Sequence, residues 1–166
     1  VTKVDAASKV LQSKILGKEF PLSVTFLIKY QCNLTCKYCD IWKWDTDEMT
    51  TSQVKSMIDE FLEMGMRRFS FNGGEALLRP DIEELTRYCR EKNIFTTLFT
   101  NGWLVPRKIE AIRQVDVVLM SLDGPEEIHD LQRDRKGSYR RVVEAIKLAR
   151  SNGVKVWTNT VITKHN

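Results

Sequence analysis

A chain of 166 residues that is 42% hydrophobic can bury a substantial single core without disulfides or a structural metal. Its charged residues, 29% of the total, are of mixed sign and leave a net charge of +4, too mild and too scattered to argue for a nucleic-acid partner. No apolar run approaches the roughly 20 residues of a membrane helix, and the first residues lack the apolar block of a secretory signal, so a cytoplasmic chain with no membrane partner is expected.

Val4, Ala7, Leu11 and Ile15 fall at helical intervals and predict an amphipathic lead-in helix over residues 3 to 16 that covers a core. Residues 23 to 30, β-branched and aromatic and preceded by Pro21, predict a buried strand. A loop with Cys32, Cys36 and Cys39 follows at once. From Thr51 the period changes: Val54, Met57, Ile58 and Phe61 share one helical face, with Thr50 or Thr51 as the N-cap and Gly65 as the stop. Arg68 to Asn72 predicts a second strand ending in Gly73-Gly74, and Pro80-Asp81 starts a helix that carries Ile82, Leu85, Tyr88 and Cys89.

Ile94 to Thr100 reads as a third strand ending in Asn101-Gly102, followed by a helix from about Pro106 through Ile109 and Ile112. Val115 to Leu122 is the fourth strand, and Ser138 is placed to cap a helix with Val142, Ile146 and Ala149 on one face. Val154 to Thr163 is a candidate fifth strand. Strands alternating with helices of this length indicate βαβ units: a parallel sheet with helices outside, either an open doubly wound sheet or part of a barrel. In both architectures chemistry gathers beyond the carboxyl ends of the strands, and every unusual residue of this chain sits there.

The strongest of these signals is the cysteine loop. Three thiols lie within eight residues, with polar Asn33, Thr35 and Lys37 between them, so they are not core residues. A cubane iron–sulfur cluster normally takes four thiolates, and a loop that offers three leaves one iron open to another ligand. Structural zinc usually draws on paired ligand groups, whereas His129 and His165 stand apart. Cys89, on a helical stripe with Ile82 and Leu85, reads as a small apolar core residue.

Other strand ends carry weaker signals. Gly73-Gly74 lets the backbone approach a ligand closely, or is a tight turn. Thr100-Asn101-Gly102 is first of all a turn. Ser121 and Asp123 stand at alternate strand positions, on one face, as hydrogen bonding to a ribose requires; Asp123 serves equally well to satisfy loop amides. Asn159, polar among Val156, Trp157, Val161 and Ile162, either faces a cavity or is a satisfied core amide. His129, Asp130, Arg133 and Arg135 read as a solvated charge run.

The spacing Cys32-Asn-Leu-Thr-Cys36-Lys-Tyr38-Cys39, with an aromatic residue before the last cysteine, resembles the signature of the radical S-adenosylmethionine (radical SAM) superfamily, and in particular its cofactor-building and peptide-maturing members. The resemblance covers essentially the whole chain. It implies a partial TIM-like (β/α) barrel, about five of six βα units present, as one core domain over residues 1–166 that ends early. It implies a [4Fe-4S] cluster on Cys32, Cys36 and Cys39, and S-adenosylmethionine held by Tyr38, Gly73, Gly74, Glu75, Ser121, Asp123 and Asn159, with Thr100 as a weaker substrate contact. Asn72 and Ala76 flank Gly-Gly-Glu where the family commonly has Ser or Thr and Pro.

The implied activity is reductive cleavage of S-adenosylmethionine to a 5'-deoxyadenosyl radical that abstracts hydrogen from a peptide or small-molecule substrate. A low-potential electron donor such as flavodoxin or ferredoxin would serve it. An arginine near residue 133 is then also a candidate for the methionine carboxylate. The rival reading is a non-catalytic iron–sulfur or zinc module on the same fold; Gly73-Gly74-Glu75 and Ser121 argue against it, because a relay needs no site for an amino acid or a ribose.

Overall fold

The computed structural model describes residues 19–166 together with Leu11, Lys14, Ile15 and Gly17. The lead-in helix expected over residues 3 to 16 lies mostly outside the described residues; Leu11 and Ile15 are helical but exposed, so they do not cover a core.

Five strands, β1 (Ser23–Lys29), β2 (Arg68–Gly73), β3 (Phe95–Thr100), β4 (Val117–Ser121) and β5 (Val156–Asn159), pair in parallel in the order β1-β2-β3-β4-β5. The connecting helices are α1 (Thr51–Glu63), α2 (Ile82–Glu91), α3 (Ile109–Arg113), α4 (Glu126–Arg133) and α5 (Ser138–Ser151). A doubly wound sheet reverses its strand order at a switch point, whereas here each strand adds to the same edge, as in a (β/α) barrel. The fold is therefore a partial barrel of the TIM type.

The pleat divides the side chains. Phe69 and Phe71 of β2, Thr96 and Leu98 of β3 and Val118 and Met120 of β4 stand in register on one face. They join a buried core with Val54 and Ile58 of α1, Ile82, Leu85 and Cys89 of α2 and Val142, Ala145 and Ala149 of α5. Each fully buried Ile or Leu there contributes about 1.5–3 kcal/mol. The opposite face carries Ser70 and Asn72, Thr97 and Phe99, then Ser121 and Asn159, a mixed set suited to a wet interior. Cys89 is fully buried, and desolvation pushes its thiol up to about 12.

Four local expectations need correction. The N-terminus of α1 is closed by a capping box on Thr50, with Gln53 Oε1 accepting from the Thr50 amide at 2.8 Å, but Ser138 caps nothing. Gly137 holds the N-cap position of α5 with φ +82°, and the Asp130 carboxylate accepts from the Gly137 and Tyr139 amides at 2.5 and 2.7 Å, while Ser138 Oγ meets His129 Nε2. The helix expected from Pro106 is split at Lys108 into a 3-10 turn and the short α3. The fifth strand stops at Asn159 because side chains capture the next residues: Thr160 donates to the Leu122 carbonyl at 2.7 Å and the Val161 amide to Asp123 at 3.1 Å. The charge run after the fourth strand is helix α4, with Glu126 and Glu127 in its first turn and His129, Gln132 and Arg133 buried.

The long segment between β1 and α1 is anchored by Arg79. Its Nε and Nη2 fork onto the Asp81 carboxylate at 2.6 and 3.0 Å, Nη1 donates to the Ile28 carbonyl at 3.2 Å and Nη2 to the Met49 carbonyl at 2.9 Å. Burial pushes the Asp81 carboxyl up, but the Arg79 fork and the Thr51 hydroxyl outweigh it and hold it below its ordinary 3.8. That contribution is present above pH 3.8 and is lost as pH falls through the lowered value. Arg79→Ala leaves Asp81 the Thr51 hydroxyl but takes away its cation, and removes the arginine donor from the Ile28 and Met49 carbonyls, so it is expected to cost about 1–3 kcal/mol. Urea unfolding of the variant checks this; an unchanged midpoint at neutral pH would remove Arg79 from its anchoring role.

Candidate active site

The cysteine loop leaves β1 at Lys29 and has little regular structure of its own apart from a 3-10 turn at Ile41–Lys43. Its backbone is therefore satisfied by neighbours. The first neighbour is the end of β2. The Gly74 amide donates to the Lys29 carbonyl at 2.8 Å and the Glu75 amide to the Gln31 carbonyl at 3.0 Å. A Cβ on Gly73 or Gly74 would overlap the carbonyl oxygens of Lys29 or of Tyr30 and Gln31, and Gly73 holds φ +145°. The paired glycines thus let the end of β2 close on the root of the cysteine loop.

The second neighbour is α4 with the turn that follows it. The Lys37 amide donates to the Gln132 carbonyl at 2.9 Å, Arg135 Nη1 to the Asn33 carbonyl at 3.0 Å, and Thr35 Oγ1 to Asp134 Oδ2 at 3.1 Å. Inside this frame Cys36 is buried and Cys32 and Cys39 are partly so. Burial pushes the Cys32 thiol up to about 11, against the Leu34 amide bond that lowers it. Burial also raises Cys36, in part offset by the charge and hydrogen bond of Arg133.

Two sulfurs face nitrogen donors. Asn101 Nδ2 lies 3.9 Å from Cys32 Sγ and donates to Asn33 Oδ1 at 2.8 Å, and Arg133 Nη1 lies 3.8 Å from Cys36 Sγ. Asn33, in the same loop, has its Nδ2 buried with no hydrogen-bond partner. Nitrogen donors at two of the three thiols, with an unpaired buried N–H on the same loop, suit anionic sulfur and fit an iron–sulfur cluster.

All three cysteines line one cavity of about 200 Å³ at the carboxyl ends of the strands, together with Tyr38, Gly73, Gly74, Thr100, Ser121 and Asn159. Ser121 and Asn159 are paired across β4 and β5. Glu75 and Asp123 point elsewhere. Glu75 is fully buried; Oε1 accepts from the Thr100 hydroxyl at 2.9 Å and the Leu77 amide at 3.0 Å, and Oε2 from the Asn101 amide at 2.9 Å. Its carboxyl is pushed up by burial, opposed by those three bonds. Thr100 is thereby a strut of the β3 turn, since its oxygen also accepts from the Gly102 amide at 3.0 Å. Asp123 lies beyond the end of β4, where strand alternation no longer holds, and takes bonds from Arg133, Tyr38 and the Val161 amide. Burial raises the Tyr38 hydroxyl, and the bond to Asp123 adds to it.

Of the two neighbours of the thiols, Asn101 went unrecognised as a site residue in the sequence, and Arg133 stood there only as part of a charge run or as a candidate for the methionine carboxylate. Asn101 looked like a turn residue. For Arg133 the spacing of His129, Gln132 and Arg133 at i, i+3 and i+4, after a Pro125-Glu-Glu start, marks one helical face and was the available signal.

A singly wound α/β barrel that gathers three thiols and polar strand ends at its carboxyl face is an enzyme scaffold of the kind whose chemistry lies in the βα loops. The model of the radical SAM superfamily matches residues 27–166, and the chain belongs to that superfamily. It is 32% identical to the Fe-coproporphyrin III synthase of Methanosarcina barkeri, over 96% of this chain and 42% of that protein. It is 31% identical to the mycofactocin maturase of Mycolicibacterium smegmatis, over 100% of this chain and 44% of that protein. The fold is similar to that of SuiB of Streptococcus suis bound to S-adenosylmethionine, with a TM-score of 0.80 at 23% identity, over 97% of this chain and 39% of that one. The chain thus spans less than half the length of these relatives.

Glu75 joins the turns after β2 and β3, so its removal is expected to loosen the cavity wall. Glu75→Gln sets an amide N–H against one of three buried donors and should cost about 1–3 kcal/mol. Hydrogen exchange at the Leu77 and Asn101 amides checks the assignment: protection unchanged in the variant rules out Glu75 as their acceptor.

Proposed function

We propose that this chain is the cluster-binding and S-adenosylmethionine-binding core domain of a radical SAM enzyme that modifies a peptide or builds a cofactor or other metabolite. The observation that carries the proposal is the convergence of Cys32, Cys36 and Cys39 with Tyr38, Gly73, Gly74, Ser121 and Asn159 on one cavity. When bound, a [4Fe-4S] cluster with one iron free of cysteine supplies reductive cleavage of S-adenosylmethionine to methionine and a 5'-deoxyadenosyl radical.

The residues divide the remaining work. Cys32, Cys36 and Cys39 would hold the cluster, with the donors on Asn101 and Arg133 directed at the sulfurs of Cys32 and Cys36. Gly73 and Gly74 offer bare backbone at the cavity wall for the methionine ammonium. The Glu75 side chain is spent inside the protein, so its share is to fix that backbone and the turn after β3. Ser121 and Asn159, neighbours across two strands, would take the ribose, and the Tyr38 ring would lie by the adenine. Asp123 orients Tyr38 from behind rather than from inside the cavity.

The electron reaches such a site from a low-potential donor such as flavodoxin or ferredoxin. The named activities of the Methanosarcina and Mycolicibacterium relatives support the substrate range proposed here. A zinc or electron-relay module finds less support: Gly73, Gly74, Ser121 and Asn159 line the same cavity as the three cysteines, and such a module needs no site for an amino acid or a ribose.

Replacing any one of Cys32, Cys36 or Cys39 by alanine is expected to abolish cluster assembly and 5'-deoxyadenosine formation, whereas Cys89→Ala, in the core, should keep both with a small loss of stability. Iron content, the spin-resonance spectrum after anaerobic reconstitution, and 5'-deoxyadenosine produced with dithionite measure this. A variant that keeps full cleavage takes its cysteine out of the ligand set.

A further inference from the structure

We infer that Asp123 and Arg133 form a buried charge relay onto Cys36 that sets the reduction potential of the cluster, with Arg133 as a positioning residue. The inference rests on the cluster reading above and deepens it. Arg133 is 7% exposed and Asp123 fully buried. Arg133 Nε donates to Asp123 Oδ2 at 2.7 Å, and its Nη1 reaches to 3.8 Å from Cys36 Sγ. The Tyr38 hydroxyl donates to the same Asp123 oxygen at 3.1 Å, and the guanidinium lies 5.4 Å from the centre of the Tyr38 ring. The other Asp123 oxygen accepts from the Val161 amide at 3.1 Å.

Every contact fixes the direction of the pair. Besides the guanidinium, two donors, the Tyr38 hydroxyl and the Val161 amide, hold the carboxylate, so the guanidinium has its orientation set and presents its positive end to one sulfur. Out of solvent such a dipole is weakly screened. Charge and hydrogen bonds at ligating sulfurs are among the levers that set cluster potentials. Cys32 is placed differently: its nitrogen donor is the neutral amide of Asn101. A cation on Cys36 favours the reduced cluster and raises its potential, and the carboxylate behind it moderates that effect.

The two partners therefore have opposite signatures. Loss of the cation in Arg133→Met should move the midpoint potential more negative. Loss of the anion in Asp123→Asn, with the arginine retained, should move it more positive. Arg133→Lys keeps the charge without the fork and should fall between wild type and Arg133→Met. A residue that only held the loop in shape would not give shifts of opposite sign.

The experiment is a spin-resonance redox titration of the anaerobically reconstituted whole chain and these variants, with iron content and S-adenosylmethionine affinity measured on the same samples. Should Arg133→Met assemble poorly, Asp123→Asn alone reads the relay. Where both variants assemble, opposite shifts support the inference; where Arg133→Met does not, a positive shift in Asp123→Asn at unchanged iron content supports it. Unmoved potentials, or shifts of one sign, overturn it while the cluster reading stands. Weaker S-adenosylmethionine binding by Arg133→Met at an unmoved potential also overturns it and assigns the guanidinium to the methionine carboxylate. A wild-type chain that takes up no iron overturns the reading beneath it instead.

Discussion

A loop that carries three thiols and almost no backbone ladder must borrow its hydrogen bonds, and that constraint organises the carboxyl face of this protein. The end of β2 supplies one set, through the Gly74 and Glu75 amides on the carbonyls of Lys29 and Gln31. Helix α4 and its turn supply the other, from Gln132, Asp134 and Arg135. Arg79 ties the far end of the same segment to β1 through the Ile28 and Met49 carbonyls. The thiols are thus held by the frame around them.

This arrangement gives the buried carboxylates supporting parts. A carboxylate out of water is costly unless its lone pairs are filled. Glu75 fills them with donors from the turns after β2 and β3, and Asp123 with donors from the cysteine loop, α4 and the segment after β5. Each carboxylate joins chain segments that no ladder connects. The cavity side is left to bare glycine backbone, the side chains of Ser121 and Asn159, and the Arg133 guanidinium that Asp123 holds from behind.

Much of the fold was legible in the sequence because period and punctuation are local. The stripe of Val54 and Ile58, the Thr50 cap and the alternation of Phe69 and Phe71 placed α1 and β2 within a residue or two of their bounds. Helix α4 was missed because its buried face is polar: His129 and Arg133 are bonded to Asp123 and the Gln132 amide nitrogen donates to Thr163, so no apolar stripe betrays it. Ser138 misled for a related reason, since the carboxylate that caps α5 comes from Asp130, upstream in α4.

The sequence by itself determined the parallel α/β class, the three-thiol loop and the placement of Gly73-Gly74, Ser121 and Asn159 at strand ends, because spacing and periodicity are properties of neighbours in the chain. Only the tertiary structure decided that the sheet winds in one direction, that Glu75 and Asp123 turn into the protein, and that Asn101 and Arg133 stand beside the sulfurs. Those outcomes depend on which distant segment offers a buried polar group its partner, and no local pattern of residues carries that information.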